Sequence, residues 1–569
     1  MSKAFERVAA KRAKSVPEGL SVDIERPKRE GQGDRATGVA MQQAKSLGLP
    51  PRELAAELVA ELKDIQNNMQ NDLIEKIEIA GPGFINFFLS KKWLQNVVCD
   101  VLTAGDAYGA SDLGAQRRVQ IEFVSANPTG PLHIGHGRGA AVGDVLANLL
   151  AFTGWKVERE YYINDAGLQM EILGRSTQSR YFELQGHADL APFPENGYKG
   201  DYIYDLARDA IKIEGDRFLS MPLTESLPWF KRFAGDVILK GIRDDLEDFG
   251  VNFDVWFPES SLYARNLVSQ TMEHLKQRDY AFEADGAVWF KASDFEDEKD
   301  RVLIRNNGAP TYFASDIAYH KEKFDRGFDR VIDIWGADHH GYVPRMKAGI
   351  EAIGRKPEDL DVLLIQFVNL VRGGEQVPMS TRSGQFITLR DVLNEVGVDA
   401  TRYFFLMRRS DSQLDFDLEL AKRQSNDNPV FYVQYAHARI CSIMREMKER
   451  KGNDPQSYNF QFCNSQPCNS RLSDVLSGDV LSGEETRKLV DCLAAFPREM
   501  AAASKELAPH TITLYAFKLA GYFHSFYNTN RILGEEPHLE AGRLMLTEAV
   551  RIVLVRCLAL LGVSAPERM

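Results

Sequence analysis

Apolar residues along the first part of the chain repeat at two different spacings. Helical spacing runs over residues 35–47 and 51–67, whereas IEKIEIAGPGFINFFLS (74–90) alternates as strands do. A β-rich stretch at 118–124 then leads through a loop into a helix of small residues, and another strand pattern follows at 155–163. Strand, loop, helix and strand in this order predict half of a nucleotide-binding βαβ unit.

The strand pattern returns in the second half of the chain. VIDIWG (331–336) predicts a strand, GYVPRMKAGIEAIG (341–354) a helix, and DVLLIQFV (361–368) a buried strand. Between the two halves, helical periodicity with acidic patches over about 166–284 predicts an insertion that interrupts the sheet.

These patterns predict a multi-domain α/β protein. From Asn428 onward one helix pattern follows another, apart from a Ser-, Asn- and Gly-rich stretch at 448–485 that predicts a long loop. We expect an α+β N-terminal domain, a Rossmann-type domain built on a parallel sheet, and an all-α C-terminal domain, at 1–112, 113–425 and 426–569. A chain of 569 residues suits three or four domains.

Composition narrows the class of protein. The net charge of -12 argues against binding nucleic acid through overall charge, although local basic faces are compatible with it. No apolar run reaches the ~20 residues that span a bilayer, and the N-terminus lacks the apolar core of a secretion signal. Of six scattered cysteines only Cys463 and Cys468 lie close together, so we expect no structural zinc and a reducing, cytoplasmic location.

The loop between the first strand and helix of the βαβ unit carries the most informative residues. It reads SANPTGPLHIGHGR (125–138) and ends in two histidines at the start of the small-residue helix (137–150). A helix N-terminus presents unpaired N–H groups and about half a positive charge. His133 and His136 beside it would donate further hydrogen bonds to phosphate, and Gly135 would leave room for a purine ring. The loop therefore predicts a site for the phosphates of ATP.

A second candidate segment is WGADHHGY (335–342), where a strand pattern gives way to a helix pattern. Open α/β sheets bind ligands at such strand ends. Gly336 would let a ribose approach the backbone, and Asp338 would accept hydrogen bonds from ribose hydroxyls. His339 and His340 are alternative metal ligands, but adjacent side chains point in different directions on most backbones.

Several segments resemble the arginyl-tRNA synthetases, a family of class I aminoacyl-tRNA synthetases. The SANPTGPLHIGHGR loop resembles the HIGH signature of that family. The other similar segments follow in the family's order: DGAVWF (285–290), PTYFASDIAYH (310–320), WGADHHGY, GEQVPMSTRSG (374–384), NPVFYVQYAHARICSI (428–443) and FHSFYNTNRIL (523–533). The HIGH region comprises Ala126, Asn127, Pro128, Thr129, Gly130, Pro131, Leu132, His133, Ile134, Gly135 and His136.

The resemblance implies an activity and partners. It implies a monomeric enzyme that attaches L-arginine to tRNA(Arg) through an arginyl-adenylate, using ATP with Mg²⁺ and releasing AMP and pyrophosphate. The N-terminal domain would contact the tRNA elbow and the helical domain would bind the anticodon. A docking role without RNA contact stays open for the N-terminal domain.

The resemblance also implies an arginine site. The family reads arginine with a Tyr and an Asp of PTYFASDIAYH, which are Tyr312 and Asp316 here and share a face if the segment is helical. Glu259 resembles an additional carboxylate, and Asn127 resembles the contact to the substrate amino group. Purely structural roles stay open for Asp316, Glu259 and Asn127, such as a helix N-terminal charge or a loop cap.

The second class I signature, KMSKS, is altered. Pro378-Met379-Ser380-Thr381-Arg382 stands at its position, so both lysines are missing. Met379 and Ser380 would lie at the ATP site by resemblance. We expect Arg382 to supply the positive charge that stabilises the leaving pyrophosphate, since a guanidinium binds phosphate in a bidentate manner. A plain polar loop is the alternative.

Other interpretations stay open. A small-molecule nucleotidylyltransferase would share the ATP loop, and a synthetase-like paralogue could bind RNA without catalysis. Phe431, Tyr435 and Ala438 share a helix face, which favours a packed helix at a domain junction over direct RNA contact. Tyr527 and Asn528 would either contact unpaired anticodon bases or pack in the core.

Overall fold

The first part of the chain folds as helices against a small antiparallel sheet. The computed structural model describes residues 1–16, 20, 22–27, 29, 31–68, 72–295, 297–377, 387–451, 475–476 and 480–569. The first elements are α1 (Ser2–Lys11), β1 (Arg35–Thr37), α2 (Val39–Leu47), α3 (Pro51–Asn68), β2 (Ile74–Ala80), β3 (Phe84–Leu89) and α4 (Lys91–Ala104). The sheet order is β1-β3-β2.

One helix of this part is shorter than its apolar pattern predicts. The prediction of a helix from Arg35 is wrong, because Arg35–Thr37 pairs antiparallel with β3. The helix begins only at Val39, whose amide donates to the Thr37 hydroxyl at 3.2 Å. Sheet pairing thus overrides the helical spacing of these residues.

The middle of the chain is an α/β unit. Its elements are β4 (Arg118–Glu122), α5 (Ile134–Phe152), β5 (Lys156–Ile163), α6 (Leu168–Leu184), α7 (Tyr202–Glu214), α8 (Leu223–Asp248), β6 (Val255–Pro258), α9 (Ser260–Ala264), α10 (Leu267–Gln277), β7 (Ala281–Ala284), β8 (Ala287–Phe290), β9 (Arg301–Ile304), α11 (Tyr312–Asp325), β10 (Arg330–Gly336), α12 (Val343–Ala352), β11 (Leu360–Ile365), β12 (Val368–Arg372), β13 (Glu375–Gln376), α13 (Leu389–Val396), α14 (Val398–Phe405), β14 (Leu414–Asp417) and α15 (Leu418–Lys422).

The central sheet of this unit is parallel and has the order β11-β10-β4-β5-β6. Helices pack on it, so the predicted Rossmann-type fold is confirmed. Small antiparallel or mixed sheets, β7-β8-β9 and β13-β12-β14, lie beside it.

Two features of the central sheet differ from expectation. The stretch 166–284, predicted to interrupt the sheet, contains its outer strand β6, which pairs parallel with β5. Four residues of strand are too short to stand out against helical periodicity. DVLLIQFV is not a fully buried strand: β11 is the opposite edge of the sheet, and residues 361–364 are only half-buried.

The last part of the chain is helical, as predicted, in the residues that the structure describes. It comprises α16 (Pro429–Lys451), α17 (Glu484–Lys505), α18 (His510–Thr529) and α19 (Pro537–Leu561). Most of the predicted loop at 448–485 lies outside the described residues. No helix within the described ranges combines the length and apolar character needed to cross a bilayer.

The helical part also contacts the N-terminal part through reciprocal ion pairs. Arg487 of α17 donates to both oxygens of Asp34 at 2.6 Å. One turn further along, Asp491 lies 3.4 Å from the guanidinium of Arg35. The neighbouring residues Asp34 and Arg35 thus pair with Arg487 and Asp491, which lie on one face of α17.

A row of carboxylates crosses the buried face of the central sheet. Asp333, Glu122 and Glu160 are direct register partners on β10, β4 and β5. Helix α11 covers the row: Lys323 donates to Glu122 at 2.6 Å and to Asp333 at 2.9 Å. Lys323 and Asp333 are both inaccessible to solvent. Burial alone would lower the pKa of Lys323, but the two carboxylates outweigh burial and raise it.

Replacing this lysine should destabilise the sheet strongly. We expect Lys323→Met to lower the free energy of unfolding by about 3–5 kcal/mol, since it leaves two carboxylates buried without their shared cation. Denaturant titration measures the loss. Lys240→Met is the matched control, because Lys240 pairs with Asp244 at 3.2 Å on an exposed helix face and such pairs contribute about 0–1 kcal/mol. Equal losses in both variants would contradict the assignment.

Candidate active site

The carboxyl ends of β4 and β10 form the topological switch point, or crevice, of the central sheet. These strands are neighbours, yet β5 follows β4 on one side and β11 follows β10 on the other. Ligands bind open α/β sheets at such a switch point. The loop with the two histidines follows β4 and WGADHHGY follows β10, so the fold brings both predicted segments to the same edge.

The chain leaves β4 through a strained turn. Val124 and Ser125 have positive φ values of 66° and 38°, which cost side-chain-bearing residues about 1–3 kcal/mol each. The Ser125 hydroxyl donates to Glu122 at 2.9 Å and accepts from the Tyr162 amide at 3.1 Å. These bonds hold a turn that directs the chain out of the sheet toward the histidines.

The two histidines are fixed at the start of α5, which begins three residues earlier than predicted. His133 is the N-cap and accepts from the Gly135 amide through Nδ1 at 3.1 Å. His136 Nδ1 accepts from the His133 amide at 3.3 Å, and the rings stack with centroids 3.7 Å apart. Burial lowers the pKa of His133, and it lowers the pKa of His136 to about 3. Both rings are therefore neutral near pH 7, with their protons on Nε2 as donors.

Small residues let α5 pack closely against its surroundings. A Cβ on Gly135 would lie 3.0 Å from the His133 ring, so glycine here permits the cap. A Cβ on Gly137 would lie 2.7 Å from Leu389, and one on Gly143 would lie 2.3 Å from Phe123. The small residues of this helix are thus required by its close packing against Leu389 and Phe123 and by the cap at His133.

The segment after the altered second signature is tied to the histidine loop. The Leu389 amide donates to the Leu132 carbonyl at 2.8 Å, and Thr388 forms a β-bridge with His133. Thr388 also caps α13 by accepting from the Asp391 amide at 3.0 Å. Residues 378–386 lie outside the described residues, and with them Met379, Ser380 and Arg382.

Two carboxylates lie close together beside the crevice. Asp316 is half-buried on α11, and Tyr342 donates to its Oδ2 at 2.6 Å. Glu259 is buried at the end of β6, and Tyr263 donates to its Oε1 at 3.2 Å. Burial raises the pKa of Glu259, and the nearby charge of Asp316 raises it further. Burial also raises the pKa of Asp316, to about 6.

Tyr162 of β5 lies beside both carboxylates. Burial raises the pKa of its hydroxyl, and the charges of Glu259 and Asp316 add to the effect. Its ring packs on Tyr319, with centroids 4.6 Å apart. The pocket is therefore lined by two acids and several phenol groups, which together suit a planar cation with several N–H donors.

Other predicted residues lie at the rim of the crevice. Tyr312 begins α11, as the predicted helix requires, but its side chain is 69% exposed while Asp316 is half-buried. Asn127 is half-buried, and its amide donates to Gln169 at 2.7 Å. Gly336 ends β10, where a Cβ would meet the Asp338 carboxylate at 2.5 Å. The Asp338 side chain is exposed.

Two tyrosines that hold the carboxylates, Tyr342 and Tyr263, were not predicted from the sequence. Tyr342 is the last residue of WGADHHGY, and Tyr263 follows Glu259 by four residues, about one helical turn. Their pairing with Asp316 and Glu259 depends on tertiary structure, which periodicity does not reveal. Among the described residues no cluster of three His, Cys, Asp or Glu side chains could hold a metal ion.

The helix α16 is packed at a junction, as the sequence favours. Gln434 donates to Asp399 at 2.8 Å, and a ring nitrogen of His437 lies 2.9 Å from the Pro566 carbonyl. Phe431 and Tyr435 stack with centroids 5.9 Å apart.

One polar group of α16 reaches the next candidate segment. The Arg439 guanidinium lies over the rings of Tyr435 and Tyr527, 4.6 and 4.7 Å from their centroids. Tyr527 is partly exposed and Asn528 is exposed. RNA contact by either residue stays a prediction.

Three family models match the chain in order. They are the arginyl tRNA synthetase N terminal domain over residues 1–89, the catalytic domain of tRNA synthetases class I (R) over 97–415, and the DALR anticodon binding domain over 433–569. The arginine–tRNA ligase of Geobacter sp. (strain M21) is 52% identical over 552 residues, 96% of this chain and 95% of that protein. That of Syntrophotalea carbinolica is 50% identical over 555 residues, 98% and 96% of the two chains.

A solved structure agrees in fold. Thermus thermophilus arginyl-tRNA synthetase aligns with a TM-score of 0.73 at 22% identity, covering 100% of this chain and 99% of that one. The parallel sheet, the histidine loop at its switch point and the matched catalytic model define a class I aminoacyl-tRNA synthetase. Within that class, the chain belongs to the arginyl-tRNA synthetase family, which confirms the resemblance of its motifs.

Two glycines of α5 give opposite predictions. Gly143→Ala should lower the free energy of unfolding by about 1–3 kcal/mol, because its Cβ would overlap Phe123 and force the helix to shift. Gly139→Ala, with nothing within 4 Å of the added Cβ, should raise it by about 0.5–1 kcal/mol through better helix propensity. Thermal unfolding compares the two. Destabilisation of equal size in both variants would show that Phe123 is not the obstacle.

Proposed function

We propose that the protein is an arginine–tRNA ligase that attaches L-arginine to tRNA(Arg) for protein synthesis. The observation that carries the proposal is the pair of carboxylates, Glu259 and Asp316, beside the histidine loop in a member of the arginyl-tRNA synthetase family. A guanidinium presents five N–H donors in a fixed plane, which carboxylates match. A neutral side chain would leave both acids unpaired and would be rejected.

The reaction begins with MgATP as a substrate. The carboxylate of arginine attacks the α-phosphorus, the bond from that phosphorus to the bridging oxygen breaks, and pyrophosphate leaves with its electron pair and Mg²⁺. The product is arginyl-adenylate. A terminal ribose hydroxyl of tRNA then attacks the carbonyl carbon, the bond from that carbon to the phosphate oxygen breaks, AMP leaves with the electron pair, and the hydroxyl proton passes to solvent. The protein forms no covalent bond; it aligns the groups and stabilises charge.

The histidine loop would bind the nucleotide. Neutral His133 and His136 donate from Nε2 to phosphate oxygens at the positive end of α5. Gly135 lies beneath the adenine, while Gly336 and Asp338 hold the ribose at the neighbouring strand end. Met379 and Ser380 complete the ATP site in the segment after β13.

The acidic pocket would bind arginine. Asp316 and Glu259 accept the guanidinium N–H groups, and exposed Tyr312 covers the substrate from the rim. Asn127 contacts the α-amino group. Asn127 and His133 lie in the same loop. Because this loop contacts both arginine and the phosphates of ATP, the carboxylate of the substrate would face the α-phosphate.

The remaining parts of the chain would bind tRNA. Residues 1–112 contact the tRNA elbow, 113–425 hold the catalytic site, and 426–569 bind the anticodon. We propose that the enzyme acts as a cytoplasmic monomer.

A charging assay tests the activity. Purified protein, MgATP and labelled arginine should yield arginyl-tRNA only when tRNA(Arg) is added. Lysine, which has an ammonium group, and glutamine, which has a neutral side chain, are the control amino acids. Preferential charging of either would refute the proposal, as would adenylyl transfer to a small molecule other than arginine.

Asp316→Asn tests the arginine pocket. The change keeps the shape and removes the charge, so arginine binding should weaken by about 1.5–3 kcal/mol or more, the contribution of a charged hydrogen bond. Steady-state kinetics should give a higher KM for arginine and an unchanged KM for ATP. Asp325→Asn is the control, since Asp325 pairs with Lys321 at 2.7 Å on the exposed face of the same helix. An unchanged KM for arginine in Asp316→Asn would place the specificity pocket elsewhere.

Arg382→Ala tests the altered second signature. We propose that Arg382 contacts the pyrophosphate as it leaves, so the contact strengthens in the transition state. The variant should lose about a hundredfold in kcat with a constant KM for arginine. Arg382→Lys should recover part of the rate, because the charge is kept.

The control for this loop is Arg372→Ala, which removes an exposed arginine paired with Glu395 at 2.6 Å. It should leave kcat unchanged. A normal kcat in Arg382→Ala would mean that another group supplies the positive charge.

A further inference from the structure

The carboxylate of Asp316 is held by a residue from a different segment. Tyr342 ends the 3₁₀ turn Ala337–Tyr342 that follows β10, and its hydroxyl donates to Asp316 Oδ2 at 2.6 Å. The orientation of the Asp316 carboxylate is therefore set by Tyr342 as well as by α11. One lone pair of Oδ2 is used by Tyr342, and the others stay available for a ligand with several N–H donors.

Tyr342 is itself fixed by packing. Its ring meets Phe313 edge-on at 6.1 Å and Trp335 at 5.9 Å between centroids. The Arg345 guanidinium lies 5.6 Å from the ring centroid. A half-buried phenol surrounded in this way has little rotamer freedom, so its hydroxyl is a preorganised donor.

The backbone of Asp316 is tied to the same strand. A ring nitrogen of His320 lies 2.8 Å from the Asp316 carbonyl, and the other lies 2.8 Å from the Asp333 carboxylate in β10. Strand β10 thus fixes Asp316 in two ways. Asp333 of the strand holds its backbone through His320, and the turn after the strand holds its carboxylate through Tyr342.

We propose that Tyr342 is a positioning residue that sets the affinity and the selectivity of the pocket for the guanidinium of arginine. The inference rests on the proposed function. Tyr342 holds Asp316 in the ionised form and aims its free lone pairs at the substrate, because a hydrogen bond donated to a carboxylate favours its charged state.

The surroundings of Asp316 explain why such a donor is needed. On its own helix lies His320, whose charge would favour ionisation, whereas Glu122 and Asp333 oppose it from the sheet. Glu259 at the end of β6 is a further like charge. The phenols of Tyr162 and Tyr263 also face the pocket. The hydrogen bond from Tyr342 acts against the burial that raises the pKa of Asp316.

The test is Tyr342→Phe, which removes one hydroxyl and keeps the ring. The KM for arginine should rise about tenfold or more, the effect of one hydrogen bond to a charged group. The KM for ATP, and kcat at saturating arginine, should be unchanged. Tyr181→Phe is the matched control, because the Tyr181 hydroxyl donates to the Gly215 carbonyl at 2.6 Å and its ring belongs to a separate apolar core.

A pH profile separates positioning from a merely structural role. In the wild type, kcat/KM for arginine should fall as the pH drops through about 6, where Asp316 takes up a proton and no longer pairs with the guanidinium. In Tyr342→Phe this acidic limb should move to higher pH, since the ionised form has lost a donor. A lower melting temperature with an unmoved limb and an unchanged KM would overturn the proposal.

A double-mutant cycle tests whether Tyr342 acts through Asp316. In the Asp316→Asn background, Tyr342→Phe should raise the KM for arginine far less than in the wild type. Equal effects in both backgrounds would overturn the proposal. Failure of the wild-type protein to charge tRNA with arginine would instead refute the proposed function, so the two failures are distinguishable.

Discussion

The ammonium group of Lys323 lies between Glu122 and Asp333, 2.6 and 2.9 Å from their carboxylates, and the central sheet is organised around it. Three acidic residues in one lateral row would repel each other on neighbouring strands in a medium of low polarity. Lys323 neutralises two of them, and Arg326 donates to Glu160, the third. Helix α11 and Arg326, the residue that follows it, supply the cations, so these ion pairs fix where α11 docks on the sheet. The same helix carries Asp316 and Tyr312, and the position of the pocket follows from the docking.

The site is assembled at one edge from segments far apart in sequence. The loop after β4 brings the neutral histidines, the end of β6 brings Glu259, and the turn after β10 brings Tyr342. Three features support the histidine loop: a strained turn held by Ser125, a close-packed glycine helix, and a backbone bridge from Thr388. Each carboxylate of the pocket accepts from its own tyrosine, which keeps two acids in place before any cation arrives.

The parts that the sequence predicts well are those with strong local signals. The loop from Ala126 to His136 combines glycine, proline and histidine between a strand and a helix, and its structural setting follows from that order. Strand β6 has only four residues and β1 only three, so their place in a sheet depends on distant partners that no periodicity reveals. The tyrosine–carboxylate pairs are missed for the same reason, since Tyr342 and Asp316 are 26 residues apart and meet only through packing.

The contact between the N-terminal part and α17 has a consequence for how the chain is made. The N-terminal part has its own apolar core, formed by residues such as Phe5, Leu54 and Phe87, and can fold soon after it leaves the ribosome. Its ion pair from Asp34 to Arg487 spans 453 residues of sequence. At ~5–20 residues per second, translation needs roughly 20 to 90 seconds to deliver the second partner. During that time Asp34 and Arg35 lack their ion-pair partners on α17, so the docking of the N-terminal part onto α17 is one of the last steps of folding.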